Sequence, residues 1–382
     1  MICFVSTVAW PLKIYLEPHL NIIQNKTTSN ILLIANDINK YGKENFNSSF
    51  LFSSVPIVRK VNLFYDFIAV FSLFFLLKKY KIKVLHSIMP KAGLVSMLAG
   101  YLAGVPLRIH TFTGQVWVTK RGLYYHFLKF IDTLIAKLAT HVLCDSHLQR
   151  EFLISNGIVG YDKIKVLGNG SISGIDCNRF SPNSEMRKEI RRKLNININD
   201  IVFLFVGRLN KDKGIFDLLR SFERVFETHK NTHLIIVGPD EENLDVLIEQ
   251  LRHPCKKSIH RIDFSNTPEN YMASCDVFCL PSYREGFNNS VLESGSVGIP
   301  VLASDIIGIS DAVIDNETGI LHNPGDVNAI YSGMIELATN SDLRFRLGQA
   351  ARRRVVTSFS QKLVTDEFLK YYKKIGALSC NI

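Results

Sequence analysis

Short apolar runs alternate with longer amphipathic stretches along most of the chain. The runs of the first half predict strands at Ile2–Ser6, Asn30–Ala35, Val84–Ser87, Leu107–Thr111, His141–Cys144 and Lys165–Leu167. Helices are predicted between these strands, as at Gly93–Leu102 and Tyr124–Ala139. Alternation of this kind is typical of a parallel sheet with helices on both faces.

The pattern breaks once and then restarts. Residues 169–183, NGSISGIDCNRFSPN, are rich in Gly, Ser, Asn and Pro and predict a linker. Beyond the linker, strands are predicted at Ile201–Val206, His233–Val237, Val277–Leu280 and Val301–Ala303, and helices at Ile215–His229, Asn289–Gly298 and Asp326–Thr339.

The predicted fold class is therefore α/β, with two doubly wound, Rossmann-like domains. We place the first domain at 1–180 and the second at 181–360, and expect a C-terminal helix within 361–382 to pack back on the first. Open α/β sheets bind ligands at the carboxyl ends of their strands. Two such halves predict a cleft between the domains.

The charge is concentrated in the first half. Residues 1–180 hold 20 Lys and Arg against 9 Asp and Glu, and the rest hold 25 against 26. A basic half fits nucleic acid, an anionic membrane surface or anionic ligands. Because no helix-turn-helix, zinc or aromatic RNA-reading signature is found, we expect no nucleic-acid partner. The seven scattered Cys residues favour a reducing cytoplasm over a disulfide framework.

One segment raises the question of a membrane. Leu63–Leu77 is apolar and aromatic, contains Asp66, and is followed by Lys78, Lys79, Lys81 and Lys83. It is shorter than the roughly 20 residues that span a bilayer. Two interpretations remain: a half-buried helix of the fold, or a contact that holds a cytoplasmic protein at the inner face of the cell membrane.

The first chemistry-bearing motif is VFLFVGRLNKDKGIFDLL, residues 202–219. A predicted strand ends at Gly207, and Arg208 and Lys213 follow before a helix. A guanidinium, an ammonium and free N–H groups at a helix N-terminus suit a diphosphate. The alternative is an ordinary basic surface turn.

The second motif is CLPSYREGFNNSVLESGSVGIPVLASD, residues 279–305. A loop with Glu285 follows a predicted strand, and a helix opens near Asn288, where unpaired N–H groups can hold an anion. Glu293 lies inside that helix and can accept hydrogen bonds from ribose hydroxyls, while Glu285 lies nearer the reacting end. The alternative is that both carboxylates are simply solvated.

The two motifs together resemble the nucleotide-sugar site of family 4 glycosyltransferases, which are retaining enzymes with the two-domain GT-B fold. The resemblance rests on EGFNNSVLE and GRLNKDKG, and it extends to the linker and to NETGILHNPGD. It implies that Arg208 and Lys213 neutralise the leaving diphosphate, that Glu293 binds the ribose and that Glu285 contacts the donor sugar. The other implied donor-site residues are Gly207, Gly286, Phe287, Asn288 and Asn289.

In the first half, RIHTFTGQVW (residues 108–117) resembles the family segment that carries a catalytic-site His just before a Gly. Here Thr113 precedes Gly114, and the His lies three positions earlier, at His110. Either Thr113 or His110 fills the catalytic position, and His110 as a plain strand residue remains an alternative. TFTGQVW also resembles the subgroup that acts on lipid-linked sugars.

The resemblance implies transfer of a hexose or N-acetylhexosamine from a nucleotide diphosphate sugar, with UDP favoured. The implied acceptor is a saccharide on polyprenyl diphosphate, in the synthesis of surface polysaccharide such as capsule or O-antigen. No Asp-x-Asp motif is present, so we expect no metal and no other cofactor. Two other functions stay open: a sugar-nucleotide 2-epimerase of the same design, and a non-catalytic binding module.

Overall fold

The structure, a computed structural model, describes residues 1–26, 30–41, 45–47, 49–59, 62–251 and 253–378. The chain divides into two compact units. Unit 1 contains Met1–Gly174 together with the C-terminal segment from Gln361, and unit 2 contains Ile175–Ser360. The division thus falls after Gly174, inside the predicted linker, rather than after residue 180.

Unit 1 is built on a seven-stranded parallel sheet in the order β3-β2-β1-β4-β5-β6-β7. Its strands are β1 (Ile2–Val5), β2 (Ile31–Ala35), β3 (Leu51–Ser54), β4 (Val84–Ile88), β5 (Leu107–Phe112), β6 (His141–Cys144) and β7 (Ile164–Val166). Its helices are α1 (Ala9–Pro11), α2 (Glu17–Lys26), α3 (Ile38–Tyr41), α4 (Leu63–Lys79), α5 (Pro90–Leu102), α6 (Gly122–Leu138), α7 (His147–Ser155) and, from the end of the chain, α16 (Gln361–Lys374).

Two buried histidines of unit 1 bind α16. The Nδ1 atom of His19 lies 2.8 Å from Thr365 Oγ1, and the Nδ1 atom of His86 lies 2.5 Å from the hydroxyl of Tyr372. Burial lowers the pKa of His19 to about 4 and that of His86 to about 3. Both imidazoles are therefore neutral at physiological pH, and these hydrogen bonds attach the C-terminal helix to unit 1.

Unit 2 is built on a six-stranded parallel sheet in the order β10-β9-β8-β11-β12-β13. Its strands are β8 (Ile201–Val206), β9 (Thr232–Val237), β10 (Ile259–Ile262), β11 (Val277–Leu280), β12 (Val301–Ser304) and β13 (Gly319–His322). Its helices are α8 (Ser184–Lys193), α9 (Ile215–Thr228), α10 (Leu244–Gln250), α11 (His253–Lys256), α12 (Pro268–Ser274), α13 (Asn289–Val297), α14 (Val327–Thr339) and α15 (Ser341–Ser358). Two parallel-sheet, Rossmann-like units confirm the predicted fold class.

The apolar segment in question forms helix α4. Ala69, Leu73 and Leu77, spaced four residues apart, are buried against the unit 1 core. The opposite side is open to solvent, with Phe67 and Phe75 each 65% exposed. Across the described ranges, no helix combines the length and the apolar character needed to cross a bilayer.

Candidate functional site

Both motif loops of unit 2 begin at the centre of its sheet. The strands β8 and β11 are neighbours, and the strand order runs outward from them in opposite directions. In an open α/β sheet, this reversal leaves a crevice at the carboxyl ends of the two central strands, where ligands bind. The loop with Arg208 and Lys213 follows β8, and the loop with Glu285 follows β11.

The two loops are joined through their backbones. The amide of Tyr283 donates to the carbonyl of Asp212 over 2.8 Å. Gly214, with a φ of +70°, begins α9, and a Cβ atom added there would lie 1.9 Å from the carbonyl oxygen of Pro281. Only a glycine allows this approach in this backbone conformation. Asn210 Oδ1 accepts the amide of Lys213 over 3.2 Å and fixes the turn before α9.

This contact brings Lys213 and Glu285 together, 72 positions apart in the chain. The Nζ atom of Lys213 lies 2.6 Å and 2.7 Å from the two carboxylate oxygens of Glu285. Ser282 Oγ donates to the same carboxylate over 2.7 Å. The side chains of Lys213 and Glu285 are only 17% and 7% exposed. The cation and the first acid of the two motifs therefore form one mostly buried ion pair.

Arg208 pairs with a different carboxylate, that of Glu241. Its guanidinium contacts the carboxylate of Glu241 at 3.0 Å and 3.1 Å, and Asn210 Nδ2 donates to that carboxylate over 2.6 Å. Neither Glu241, which follows β9, nor Asn210 is among the site residues that the sequence predicts. Arg208 is 52% exposed, and exposed ion pairs contribute little, so exchanging Glu241 for an anionic ligand costs little.

The loop between β11 and α13 is shaped by a second close backbone approach. A Cβ atom on Gly308, which has a φ of +90°, would lie 1.3 Å from the carbonyl oxygen of Gly286. The amide of Asn288 donates to the Gly308 carbonyl over 3.2 Å, and Asn288 Oδ1 caps α13 at Val291 N. The loop thus connects Glu285 to the start of α13 at Asn289.

Glu293 lies one turn inside α13 and is half-buried. Burial raises the pKa of Glu293 to about 7; Arg179 opposes this shift and Glu269 adds to it. Arg179 and Glu269 are themselves paired at 2.9 Å. The second acid of the motif is therefore divided between its protonated and ionised forms at neutral pH, with no direct contact to Glu285 or Lys213 among the described hydrogen bonds.

In unit 1, His110 is a core residue of β5. It is fully buried, its Nδ1 lies 2.9 Å from Ser87 Oγ, and its Nε2 has no hydrogen-bond partner in the described part of the chain. Its ring lies where a Cβ on Gly93 would approach within 2.5 Å. Burial lowers the pKa of His110 to about 3, so the ring is neutral.

Thr113 follows the end of β5 at the carboxyl edge of the sheet. It is half-buried, and Gly114 after it has a φ of +98°. The structure thus leaves Thr113 partly exposed at the strand end, whereas the ring of His110 is enclosed in the core.

Met89 is a functional candidate that sequence reasoning missed. It follows β4, next to β1, at the point where the unit 1 strand order reverses. Its φ of 74° and ψ of 145° belong to a region that glycine normally occupies, which costs about 1–3 kcal/mol. Such strain clusters at ligand sites. No pattern of apolar or polar residues signals it.

A buried carboxyl group anchors the segment that follows Thr113. The indole Nε1 of Trp117, four residues past Thr113, donates to Asp132 Oδ2 over 2.8 Å. Burial raises the pKa of Asp132 to about 7, and the Trp117 hydrogen bond opposes this shift.

This raised pKa predicts a pH-dependent stability. Asp132 retains its proton in the folded state and loses it near pH 4 in the unfolded state. The stabilisation is therefore full below about pH 4 and is lost as pH rises to about 7. Thermal unfolding of the wild type and Asp132→Asn should differ progressively across this range. Across the whole range the variant gains on the order of 4 kcal/mol relative to the wild type. A constant difference between the two proteins would contradict the assignment.

Among the described residues, no three His, Cys, Asp or Glu side chains are grouped so that they could hold a metal ion. The metal independence expected from the sequence stays a prediction. It is tested by measuring transfer in the presence of a chelator.

The chain matches two known protein families. Residues 186–354 match the family described as Glycosyl transferases group 1, and residues 49–170 match the one described as Glycosyl transferase 4-like domain. It is similar to the capsular polysaccharide biosynthesis glycosyltransferase CapM of Staphylococcus aureus, with 30% identity over 320 residues that cover 83% of each chain. It is also similar to the Escherichia coli UDP-Gal:alpha-D-GlcNAc-diphosphoundecaprenol alpha-1,3-galactosyltransferase, with 27% identity over 373 residues, 94% of this chain and 95% of the relative.

Solved structures share the fold along nearly the whole chain. The structure of Anabaena HepE in complex with UDP and glucose has a TM-score of 0.78 at 16% identity, and covers 97% of this chain and 99% of that one. Sucrose-phosphate synthase from Thermosynechococcus elongatus has a TM-score of 0.79 at 17% identity, and covers 99% of both chains.

Proposed function

Since the chain belongs to the family 4 glycosyltransferases, which have the GT-B fold, we propose that it transfers a hexose or N-acetylhexosamine from UDP to a lipid-linked saccharide. The acceptor is a hydroxyl of a sugar on polyprenyl diphosphate. The anomeric configuration is retained, and no metal takes part. The product enters a surface polysaccharide such as capsule or O-antigen.

The observation that carries this proposal is the contact between the two motif loops at the carboxyl ends of β8 and β11. Lys213 and Glu285 meet there with 2.6 Å between Nζ and Oε1, and Arg208 lies on the same loop as Lys213. This arrangement supplies two cations for a diphosphate and a carboxylate for sugar hydroxyls. Two further findings support a nucleotide-sugar donor: HepE has been solved with UDP and glucose, and the named substrate of the Escherichia coli relative is UDP-Gal.

The chemical problem is the departure of a charged diphosphate from an oxocarbenium-like sugar. Fixed positive charge lowers this barrier because it needs no rearrangement when the charge develops. In the donor complex, Lys213 and Arg208 bind the diphosphate oxygens, and the N-terminus of α13 adds its own partial charge. Glu285 then exchanges part of its contact with Lys213 for hydroxyls of the donor sugar.

In the transfer step, the acceptor oxygen bonds to the anomeric carbon on the face that the diphosphate leaves. The bond between that carbon and the β-phosphate oxygen breaks, and the acceptor proton passes to the departing phosphate. The products are the glycoside and UDP. From unit 1, we assign Thr113 and Gly114 to contact with the reacting sugars, since they lie at the carboxyl edge of their sheet.

The names of two relatives support the lipid-linked acceptor, and with it we propose a position at the inner face of the cell membrane. One is named for capsular polysaccharide biosynthesis, and the other for a diphosphoundecaprenol-linked sugar. The basic charge of residues 1–180 suits an anionic acceptor and an anionic surface.

A donor screen tests the proposal. UDP, GDP and ADP sugars are compared for protection against thermal unfolding and then for transfer to a lipid-linked acceptor, with NMR of the anomeric proton in the product. We expect protection and transfer with a UDP sugar, and a product with the donor's anomeric configuration. Transfer with inversion, or conversion of the UDP sugar to an epimer without acceptor, would refute it.

The raised pKa of Glu293 predicts pH-dependent donor binding. Ribose hydroxyls donate hydrogen bonds to the ionised carboxylate, so affinity should fall below about pH 7, by up to about tenfold per pH unit. Calorimetry with an intact UDP sugar measures this, since the terminal phosphate of free UDP titrates near pH 6 and would obscure it.

Two variants identify the titrating group. Glu293→Gln should bind the donor more weakly at pH 8 and lose the pH dependence. Glu269→Gln removes a negative charge that raises the pKa of Glu293, so it should move the transition to lower pH. An unchanged pH profile in Glu293→Gln would assign the titration to another residue.

A further inference from the structure

Three neighbouring helices on one face of the unit 1 sheet present an apolar surface to solvent. Helix α5 packs between α4 and α6. On α4, the outward residues Leu63, Phe67, Phe71 and Phe75 recur every four positions and are 41–79% exposed. On α6, Leu123, Phe127 and Phe130 are spaced four and three positions apart and are 43–90% exposed. We call these seven side chains the aromatic face.

The segment that carries the aromatic face has many more basic than acidic residues. Between residues 63 and 138 the sequence contains ten Lys and Arg but only two acidic residues, Asp66 and Asp132. Asp66 is paired with Lys91, with 2.5 Å between Oδ2 and Nζ, and Asp132 is buried. This surface of unit 1 therefore combines exposed aromatic rings with uncompensated positive charge.

The cations border the aromatic face at two places. Lys78, Lys79, Lys81 and Lys83, all exposed, lie at and beyond the end of α4. Lys120 and Arg121, also exposed, precede α6. Soluble proteins rarely expose large clusters of apolar side chains unless these contact a partner. Aromatic side chains beside lysines fit a bilayer with anionic headgroups, where rings enter the interface and cations meet phosphates.

We propose that the aromatic face of α4 and α6 inserts into the surface of an anionic bilayer and holds unit 1 on the membrane. This deepens the proposed function and rests on it for the acceptor. Helices in a parallel sheet run antiparallel to the strands, so α4 and α6 begin toward its carboxyl edge, where Thr113 and Gly114 lie. Docking here therefore places the sugar-contacting edge of unit 1 close to the headgroups from which a polyprenyl-linked acceptor projects.

The test is flotation of the full chain with vesicles of phosphatidylethanolamine and phosphatidylglycerol. We expect binding at low salt that weakens as salt rises, and little binding to purely zwitterionic vesicles. Changing Phe67, Phe71 and Phe130 to Ser should reduce partitioning about tenfold or more. Lys78→Gln and Lys79→Gln should each reduce it roughly fivefold, on anionic vesicles only.

A matched control carries Phe264→Ser and Phe345→Ser, two aromatic residues of unit 2 that are 64% and 69% exposed. It should bind vesicles as the wild type does. Equal flotation of the triple variant and this control would overturn the proposal, as would a wild type that ignores anionic vesicles at low salt. Concentration-dependent self-association without lipid, abolished by the triple variant, would assign the face to a second copy of the chain and also overturn it.

Transfer to a short-chain, water-soluble acceptor separates this inference from the proposed function. The triple variant should retain transfer to that acceptor within about twofold and lose transfer to an acceptor embedded in vesicles. A wild type that floats but transfers to neither acceptor would leave the docking surface standing and refute the proposed function.

Discussion

Replacing Lys213 with Ala is expected to lower the turnover number for sugar transfer about 10²- to 10³-fold, as loss of one preorganised charge contact does in other enzymes. The ammonium is the less exposed of the two motif cations, at 17% of its side chain, and it is held by Glu285 and by the turn that Asn210 caps. In the proposed mechanism this ammonium acts where charge develops in the transition state, so the turnover number should fall more than the donor affinity.

Lys211→Ala is the matched control. Lys211 lies in the same short turn but is exposed, and its side chain makes no contact with Glu285 among the described hydrogen bonds. We expect turnover within about twofold of the wild type. Near-wild-type transfer by Lys213→Ala would show that the diphosphate is neutralised elsewhere.

A loss of activity in Lys213→Ala could also follow from destabilisation of the fold. A second variant separates the two explanations. Without the ammonium, the carboxylate of Glu285 retains the hydrogen bond from Ser282. Its negative charge is then buried, at 7% exposure, without a cation, which destabilises the fold. The double variant Lys213→Met, Glu285→Gln removes both charges. We expect it to unfold close to the wild-type temperature and still to lack transfer activity, which separates catalysis from stability.

The strands whose bounds the sequence predicts best are buried ones in the interior of the sheets. The bounds of β6, β8 and β11 agree with the predicted runs because a parallel strand buried on both faces reads as a continuous apolar segment. The three strands that were missed, β3, β10 and β13, all lie at sheet edges. Edge strands carry more polar side chains, as Ile259–Ile262 does with His260 and Arg261, so their apolar signal is weak.

The sequence also predicts which residue types gather at the site better than it predicts what they touch. The ion pair between Lys213 and Glu285 joins loops far apart in the chain, and its formation depends on the approach of Gly214 to Pro281. The partner of Arg208, Glu241, comes from a third loop that carries no motif. Side-chain partners of this kind are set by strand order, which local patterns do not contain.

His110 shows the same limit in unit 1. Strand β5 is buried along most of its length, so alternation of apolar and polar residues does not show which way a side chain points. The structure encloses His110 beside Ser87 and leaves Thr113 at the strand end. This difference in exposure depends on the packing of Gly93 of α5 against the ring of His110, a contact that the sequence does not predict.

Gly214→Ala is expected to cost transfer activity about as much as loss of Lys213 itself, and to destabilise unit 2 as well. The new Cβ would lie 1.9 Å from the carbonyl oxygen of Pro281, so one of the two loops must move. Because Lys213 directly precedes this residue, the movement separates its ammonium from Glu285 and from the diphosphate position. This clash adds to the cost of an alanine at positive φ. We therefore expect the free energy of unfolding to fall by about 3 kcal/mol or more.

Gly298→Ala is the matched control, because it introduces the cost of an alanine at positive φ without a steric clash. Gly298 ends α13 in the same unit with a φ of +89°, but an added Cβ would meet nothing closer than Arg352 Cδ at 3.9 Å. This variant should lose only about 1–2 kcal/mol and keep its transfer activity. Denaturant unfolding and steady-state transfer measure both effects. Equal losses of stability and activity in the two variants would mean that the approach of Gly214 to Pro281 does not hold the two motif loops in place.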